Sequence, residues 1–272
     1  TPNGVEFDFL LGQLGTDQPF TQRSNAAKAL AGAVLSEAQL GRLASQLGRV
    51  GPAEAAALLP AFGRGRDATL GQALLAVLGR VGWLRGLDAA VLQKATAGFG
   101  ETVQGQAAEL LAKTKATRPD QAKLLRELVD GLPTGDALRG KAVFRGPKAG
   151  CSTCHSMAYH GGKLGPDLTR IGQVRKRMDL LEAIVFPSAS LVRSYETMQL
   201  NTRSGGVLAG IIRDRDAGQV TLALSPEKSV RVERGDIRNM EPMPVSLMPA
   251  GMNYILTPQE LADLITYLEA SR

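Results

Sequence analysis

The chain has two cysteines and two histidines among its 272 residues, and three of these four side chains fall in one run, Cys151-Ser152-Thr153-Cys154-His155. A spacing of three puts both thiols on one side of a helical turn, and the imidazole follows at its end. Whatever the rest of the chain folds into must wrap around that turn. A disulfide or a thioredoxin-like pair would use the thiols alone, and the second wants a βαβ setting that the flanking pattern does not offer. Structural zinc wants four protein ligands, and His160 is the one further histidine. Covalent haem uses all three groups, because two thiols can add across the two vinyl groups from one turn and bring the next residue under the iron. The expectation is one haem c, bound through Cys151 and Cys154, with His155 as the proximal iron ligand.

A low-spin electron carrier needs a sixth ligand, and thioether sulfur favours the reduced iron. Met240, Met243, Met248 and Met252 are the candidates. Met248 is preferred, since it precedes Pro249 in Ser246-Leu247-Met248-Pro249-Ala250-Gly251, a loop that proline would stiffen ahead of the last helix. Met252, His160 or an open position are the alternatives. For the other ring nitrogen of His155, the Pro166 carbonyl in Gly165-Pro166-Asp167-Leu168 is the candidate acceptor. Leu164, Leu168, Ile171, Ile184 and Leu264 are expected to line the apolar wall, and Arg170, Arg193 or Tyr254 to meet the propionates.

Hydrophobic residues make up 44% of the chain and aromatics only 4%, which favours close-packed helices over an aromatic-rich sandwich. Between about residues 22 and 132, apolar residues recur at three and four spacing in short segments. These segments are Ala26 to Ala33, Glu37 to Leu47, Ala53 to Phe62, Leu70 to Leu78, Ala89 to Ala97, Gly105 to Lys113 and Gln121 to Val129. Three of them look alike and recur irregularly, which fits a HEAT-like α-solenoid of stacked helix pairs. An irregular helical bundle is the other reading, and Trp83 is expected to pack between helices.

The pattern breaks at Gly131-Leu132-Pro133-Thr134-Gly135, which suggests a helical domain over 1–133 and a second domain over 134–272. A helix from Asp136 to Phe144 leads into the cysteines, another from Met178 to Val185 stops before Pro187, and the last runs from Pro258 to Leu268. From Tyr195 to about Met240 the period changes to alternation, with turn residues such as Ser204-Gly205-Gly206 between the runs, so a small antiparallel β insertion is expected at about 195–241. The expected class is mainly α with that insertion.

The formal net charge is +6, but Lys and Arg are scattered among Asp and Glu and form no stripe suited to nucleic acid. No run of eighteen apolar residues could span a membrane.

Gly140-Lys141-Ala142-Val143-Phe144 before the cysteines, then Gly165-Pro166-Asp167-Leu168, Met248-Pro249 and Leu264-Ile265-Thr266-Tyr267-Leu268 resemble a class I cytochrome c over positions 135 to 272. The resemblance implies that the first and last helices of this region cross, with Gly140 allowing Phe144 and Tyr267 to approach. About ninety residues separate His155 from Met248, more than compact members need, and the β insertion accounts for most of the excess. Together with Leu180-Leu181-Glu182-Ala183-Ile184-Val185-Phe186-Pro187 and Leu256-Thr257-Pro258-Gln259-Glu260-Leu261, the insertion resembles the haem-binding domain of the planctomycete and verrucomicrobial type. That family often carries HEAT-like repeats upstream, and a β-propeller resembling sugar dehydrogenases further still.

The resemblance implies a monohaem electron-transfer protein, not itself an enzyme, that serves as the electron-accepting module of, or partner to, a periplasmic dehydrogenase. A haem-based sensor or partner-docking module, and a peroxidase-like enzyme with an open iron site, are the alternatives. Covalent haem attachment implies maturation outside the cytoplasm, hence a periplasmic or exported location.

Overall fold

The computed structural model describes residues 1–87, 89–114 and 118–272. The chain is mainly α-helical with a small β region, and its residues form two compact units. The first comprises Thr1–Gly131, Pro147–Ala149 and Ala250–Pro258, and the second comprises Leu132–Gly146, Gly150–Pro249 and Gln259–Arg272.

In the first unit the helices are α1 (Gly4–Gly12), α2 (Phe20–Gly32), α3 (Glu37–Gln46), α4 (Pro52–Leu58), α5 (Ala68–Leu78), α6 (Ala89–Thr96), α7 (Glu101–Thr114) and α8 (Arg118–Gly131). Local chemistry sets their starts. Asn3 and Glu6 form a capping box at α1, Ser36 and Gln39 form one at α3, Pro52 opens α4, and the Asp67 carboxylate accepts from the Thr69 amide at α5. The helix expected from Ala53 to Phe62 instead ends at Leu58 and continues as a 3₁₀ segment, Leu59–Arg64. Pro60 lacks the amide hydrogen that another α turn would need. Helix α2 packs on α1 and α4, α3 on α5, and α5 and α6 on α7. Leu30, Leu43, Leu58, Phe62, Leu74 and Leu78 lie fully buried in one core, and Trp83 packs against the same cluster.

One ion pair lies inside this unit. Arg23 and Glu54 have fully buried side chains, with Nε to Oε1 at 3.1 Å. Arg23 also donates to the carbonyls of Gln18 (2.5 Å) and Lys148 (3.0 Å), and the Phe20 amide donates to the Pro147 carbonyl at 2.7 Å. These bonds fasten Pro147–Ala149 to the helical core and compensate the burial of the guanidinium.

The second unit begins with α9 (Ala137–Arg145), capped by the Asp136 side chain, and the short helix α10 (Cys151–Cys154). A two-stranded hairpin follows, β1 (Ser156–Met157) with β2 (His160–Gly161), then α11 (Ile171–Val174) and α12 (Arg177–Val185). The β insertion is an antiparallel sheet of β3 (Met198–Thr202), β4 (Val207–Arg215), β5 (Gln219–Ala223), β6 (Ser229–Glu233) and β7 (Ile237–Pro242) in the order β6-β5-β4-β3-β7. Helix α13 (Pro258–Glu269) ends the chain; its first residue falls in the other unit.

Helices α9 and α13 meet at glycine. A Cβ at Gly140 would overlap the Asp263 carbonyl, so the backbones touch only because that atom is missing. One turn on, the Phe144 and Tyr267 rings lie 5.8 Å apart at 54°, a tilted aromatic contact. The Asp263 carboxylate accepts from the Asp136 amide (2.7 Å), from Arg139 Nε and Nη2 (2.8 and 2.9 Å) and from Gln259 Nε2 (2.9 Å). Asp263 is only 2% exposed, so four donors meet a buried charge and tie the start of α9 to α13.

Candidate functional site

Helix α10 is a single turn. Gly150 precedes it with φ 67°, a left-handed conformation that glycine adopts without cost, and the His155 amide closes the turn on the Cys151 carbonyl at 2.9 Å. Cys151 and Cys154 are free thiols, and they and His155 are partly exposed. Burial pushes the Cys151 thiol up to about 12 and the Cys154 thiol up to about 11. Both shifts run opposite to that of a nucleophilic dithiol, whose function requires an accessible thiolate.

His155 is held from two sides. Its Nδ1 lies 2.9 Å from the Pro166 carbonyl oxygen. A carbonyl can only accept, so Nδ1 carries the hydrogen and Nε2 keeps its lone pair. Burial pulls the imidazole below its ordinary pKa and so favours the neutral ring, and the hydrogen bond to the Pro166 carbonyl acts in the opposite direction. Gly165 packs on the ring, where a Cβ would overlap its atoms, and the Gly165 amide donates to the Cys154 carbonyl at 2.8 Å.

Asp167 organises the loop behind the ring. It accepts from the Ser156 hydroxyl (2.6 Å) and the Thr169 amide (2.7 Å), while the Leu168 amide donates to the Ser156 carbonyl (2.9 Å) and the Thr169 hydroxyl accepts from the Ala158 amide (2.8 Å). The Ser156 hydroxyl, with the Thr169 bonds, holds the Asp167 carboxyl below the usual carboxylate range. Ala158 and Tyr159 turn the β1–β2 hairpin with φ 49° and 69°, which leaves Tyr159 fully exposed and His160 exposed beside it. The sequence signal for this hairpin is slight, since each strand is two residues long and the turn lacks glycine.

Cys154, Tyr195 and Leu247 pack against a buried cluster of Leu164, Ile211 and Ala223. The Cys151–Cys154 turn, the loop before Met248 and the β sheet therefore contribute to one apolar cluster. Leu168 and Ile171 are half-buried, with the Ile171 amide bonded to the Leu168 carbonyl at 3.1 Å, whereas Ile184 and Leu264 are buried.

The four candidate methionines separate. Met240 packs on the sheet's own core of Leu200, Leu222 and Val232. Met252 is buried in Ala250–Pro258, a segment of the helical unit. The Met243 amide donates to the Thr197 carbonyl at 2.8 Å. Met248 is half-buried, its amide donates to Ser246 Oγ at 3.1 Å, and its neighbour Leu247 is the residue in contact with the Cys154 cluster. Tyr254 belongs to the helical unit, where its ring lies against Gly82 and is 44% exposed. Arg170 and Arg193 are both exposed.

Among the described residues, no group of three or more His, Cys, Asp or Glu is placed to hold a metal ion, and no helix is long and apolar enough to cross a membrane. No protein-family model matches the chain, and no curated protein matches it either.

Proposed function

We propose that this chain is a monohaem c-type cytochrome that carries electrons, with one haem c bound through Cys151 and Cys154 and with His155 and Met248 as the residues that would ligate its iron. One observation carries the reading: two thiols on one turn are followed by an imidazole whose Nδ1 is fixed on the Pro166 carbonyl, which leaves Nε2 to bind a metal.

The residues fit the group. Each S–H can add across a vinyl C=C, sulfur to one carbon and hydrogen to the other, with nothing released. Raised thiol pKa values and the lack of further clustered His, Cys or carboxylate donors among the described residues favour this over a redox dithiol or a zinc centre. The bare face of Gly165 holds the ring plane, and Asp167 holds the loop that carries Pro166. When bound, the haem supplies one-electron chemistry at iron. Met248 is favoured as the second iron ligand because Met240 and Met252 are engaged elsewhere, while its neighbour Leu247 packs against the same cluster as Cys154.

On this reading, the second unit is a class I cytochrome domain enlarged by a β insertion, consistent with the glycine contact of α9 and α13. The helical unit is a HEAT-like scaffold, consistent with α2 packing on α4, α3 on α5 and α5 on α7. The redox partner is a periplasmic or exported dehydrogenase, of which this chain is a module or an electron acceptor. Carbon monoxide tests the ligation. The reduced protein should bind it slowly or not at all, Met248→Ala should bind it rapidly, and rapid binding by the unaltered protein would assign the chain an open iron site.

A further inference from the structure

The geometry points to a specific task for the β insertion: the Ile211–Ala223 pair is the platform that positions the loop carrying Met248. This inference rests on the His155/Met248 reading above. Ile211 on β4 stands directly opposite Ala223 on β5, and the two are 4% and 2% exposed. The next pair, Ile212 and Leu222, points to the other face, because successive residues of a strand alternate. That other face has its own core of Leu200, Leu222 and Val232.

A small antiparallel sheet with one buried face ordinarily leaves the other to solvent. Here the second face is covered at the Ile211–Ala223 pair by Leu164, Cys154, Tyr195 and Leu247. Leu164 belongs to the loop held on the attachment turn by the Gly165 amide, and Leu247 is one residue from Met248. The Ser246 amide donates to Ser188 Oγ at 3.1 Å, so the loop is tied once by that bond and once by Leu247, which packs against the cluster of Leu164, Ile211 and Ala223. Just past the platform the β4–β5 register shifts between Ile212 and Asp214, a bulge that bends β4 before pairing resumes at Asp214 and Thr221.

Thioether is a weak ligand for iron, so its occupancy depends on how firmly the loop is held. Ile211, Ala223 and Leu247 are positioning residues for Met248.

The test uses the full haem-loaded chain and two readouts, the thioether-to-iron charge-transfer band of the oxidised protein and the rate of carbon monoxide binding after reduction. Ile211→Ala and Leu247→Ala should weaken the band, lower the pH at which it disappears, and speed carbon monoxide binding by about tenfold or more. Val232→Ala, on the opposite face, should lower stability but leave both readouts unchanged. The proposal is overturned if folded Ile211→Ala or Leu247→Ala keeps the wild-type band and rate, or if Val232→Ala alters them equally. Met248→Ala separates the layers: a band that survives there overturns the ligand assignment itself, whereas a band lost there and intact in the other variants overturns the platform alone.

Discussion

At His155 the chemistry turns on which ring nitrogen is left free, and the Pro166 carbonyl decides it. That acceptor is legible in the sequence because proline keeps its carbonyl while stiffening the loop, so Gly165-Pro166 announces a fixed oxygen near a required imidazole. The Asp167 contacts with Ser156 and Thr169 are not legible, because small polar residues in a loop have many possible partners. Gly165 offers a direct test of the cradle. Gly165→Val drives methyl groups into the imidazole ring, and denaturant unfolding should show a loss of about 1–3 kcal/mol. Arg23 is a second residue whose role sequence conceals, since an arginine on a short helix ordinarily faces water. Arg23→Ala leaves Glu54 buried without its partner and should cost about 3–5 kcal/mol in the same measurement.

Among the elements, the contact between α9 and α13 carries a pH dependence that can be worked out in sign. The Arg139 hydrogen bonds, opposed by burial and aided by the Asp136 amide and Gln259, hold the Asp263 carboxyl at about 2. An unfolded aspartate titrates near about 3.9, so this stabilisation is fully present above that pH and is lost as the pH falls through about 2. Acid titration followed by circular dichroism should show the loss between those limits, and Asp263→Asn should remove that part of the dependence. The helix cores were readable from periodicity, whereas the Gly140 contact was an implication of the family resemblance. Two elements were not readable. Helix α1 buries Phe7 while Val5 and Phe9 stay 81% and 66% exposed, so its apolar residues form no single stripe. Strand β7 has only Ile237 and Met240 as partly buried apolar residues and pairs with β3 rather than with its neighbour in sequence, so neither alternation nor a hairpin turn marks it.

The whole molecule divides into two compact units, and the expected break near residue 133 does not show that Pro147–Ala149 and Ala250–Pro258 belong to the helical unit. Segments of three and nine residues are too short to carry a periodic signal. In differential scanning calorimetry Arg23→Ala and Asp263→Ala should each lower stability, the latter by about 1.5–3 kcal/mol, and an unchanged unfolding curve for either would contradict the role given to its buried carboxylate pair. The central claim is covalent haem on the Cys151–His155 turn. A pyridine haemochrome spectrum, taken with the intact mass of protein matured in a host that attaches haem c, tests it most directly. A thioether-linked haem spectrum and a mass increased by one haem are expected, both lost in the Cys151→Ala/Cys154→Ala variant. An unmodified chain that incorporates no haem under those conditions would contradict it.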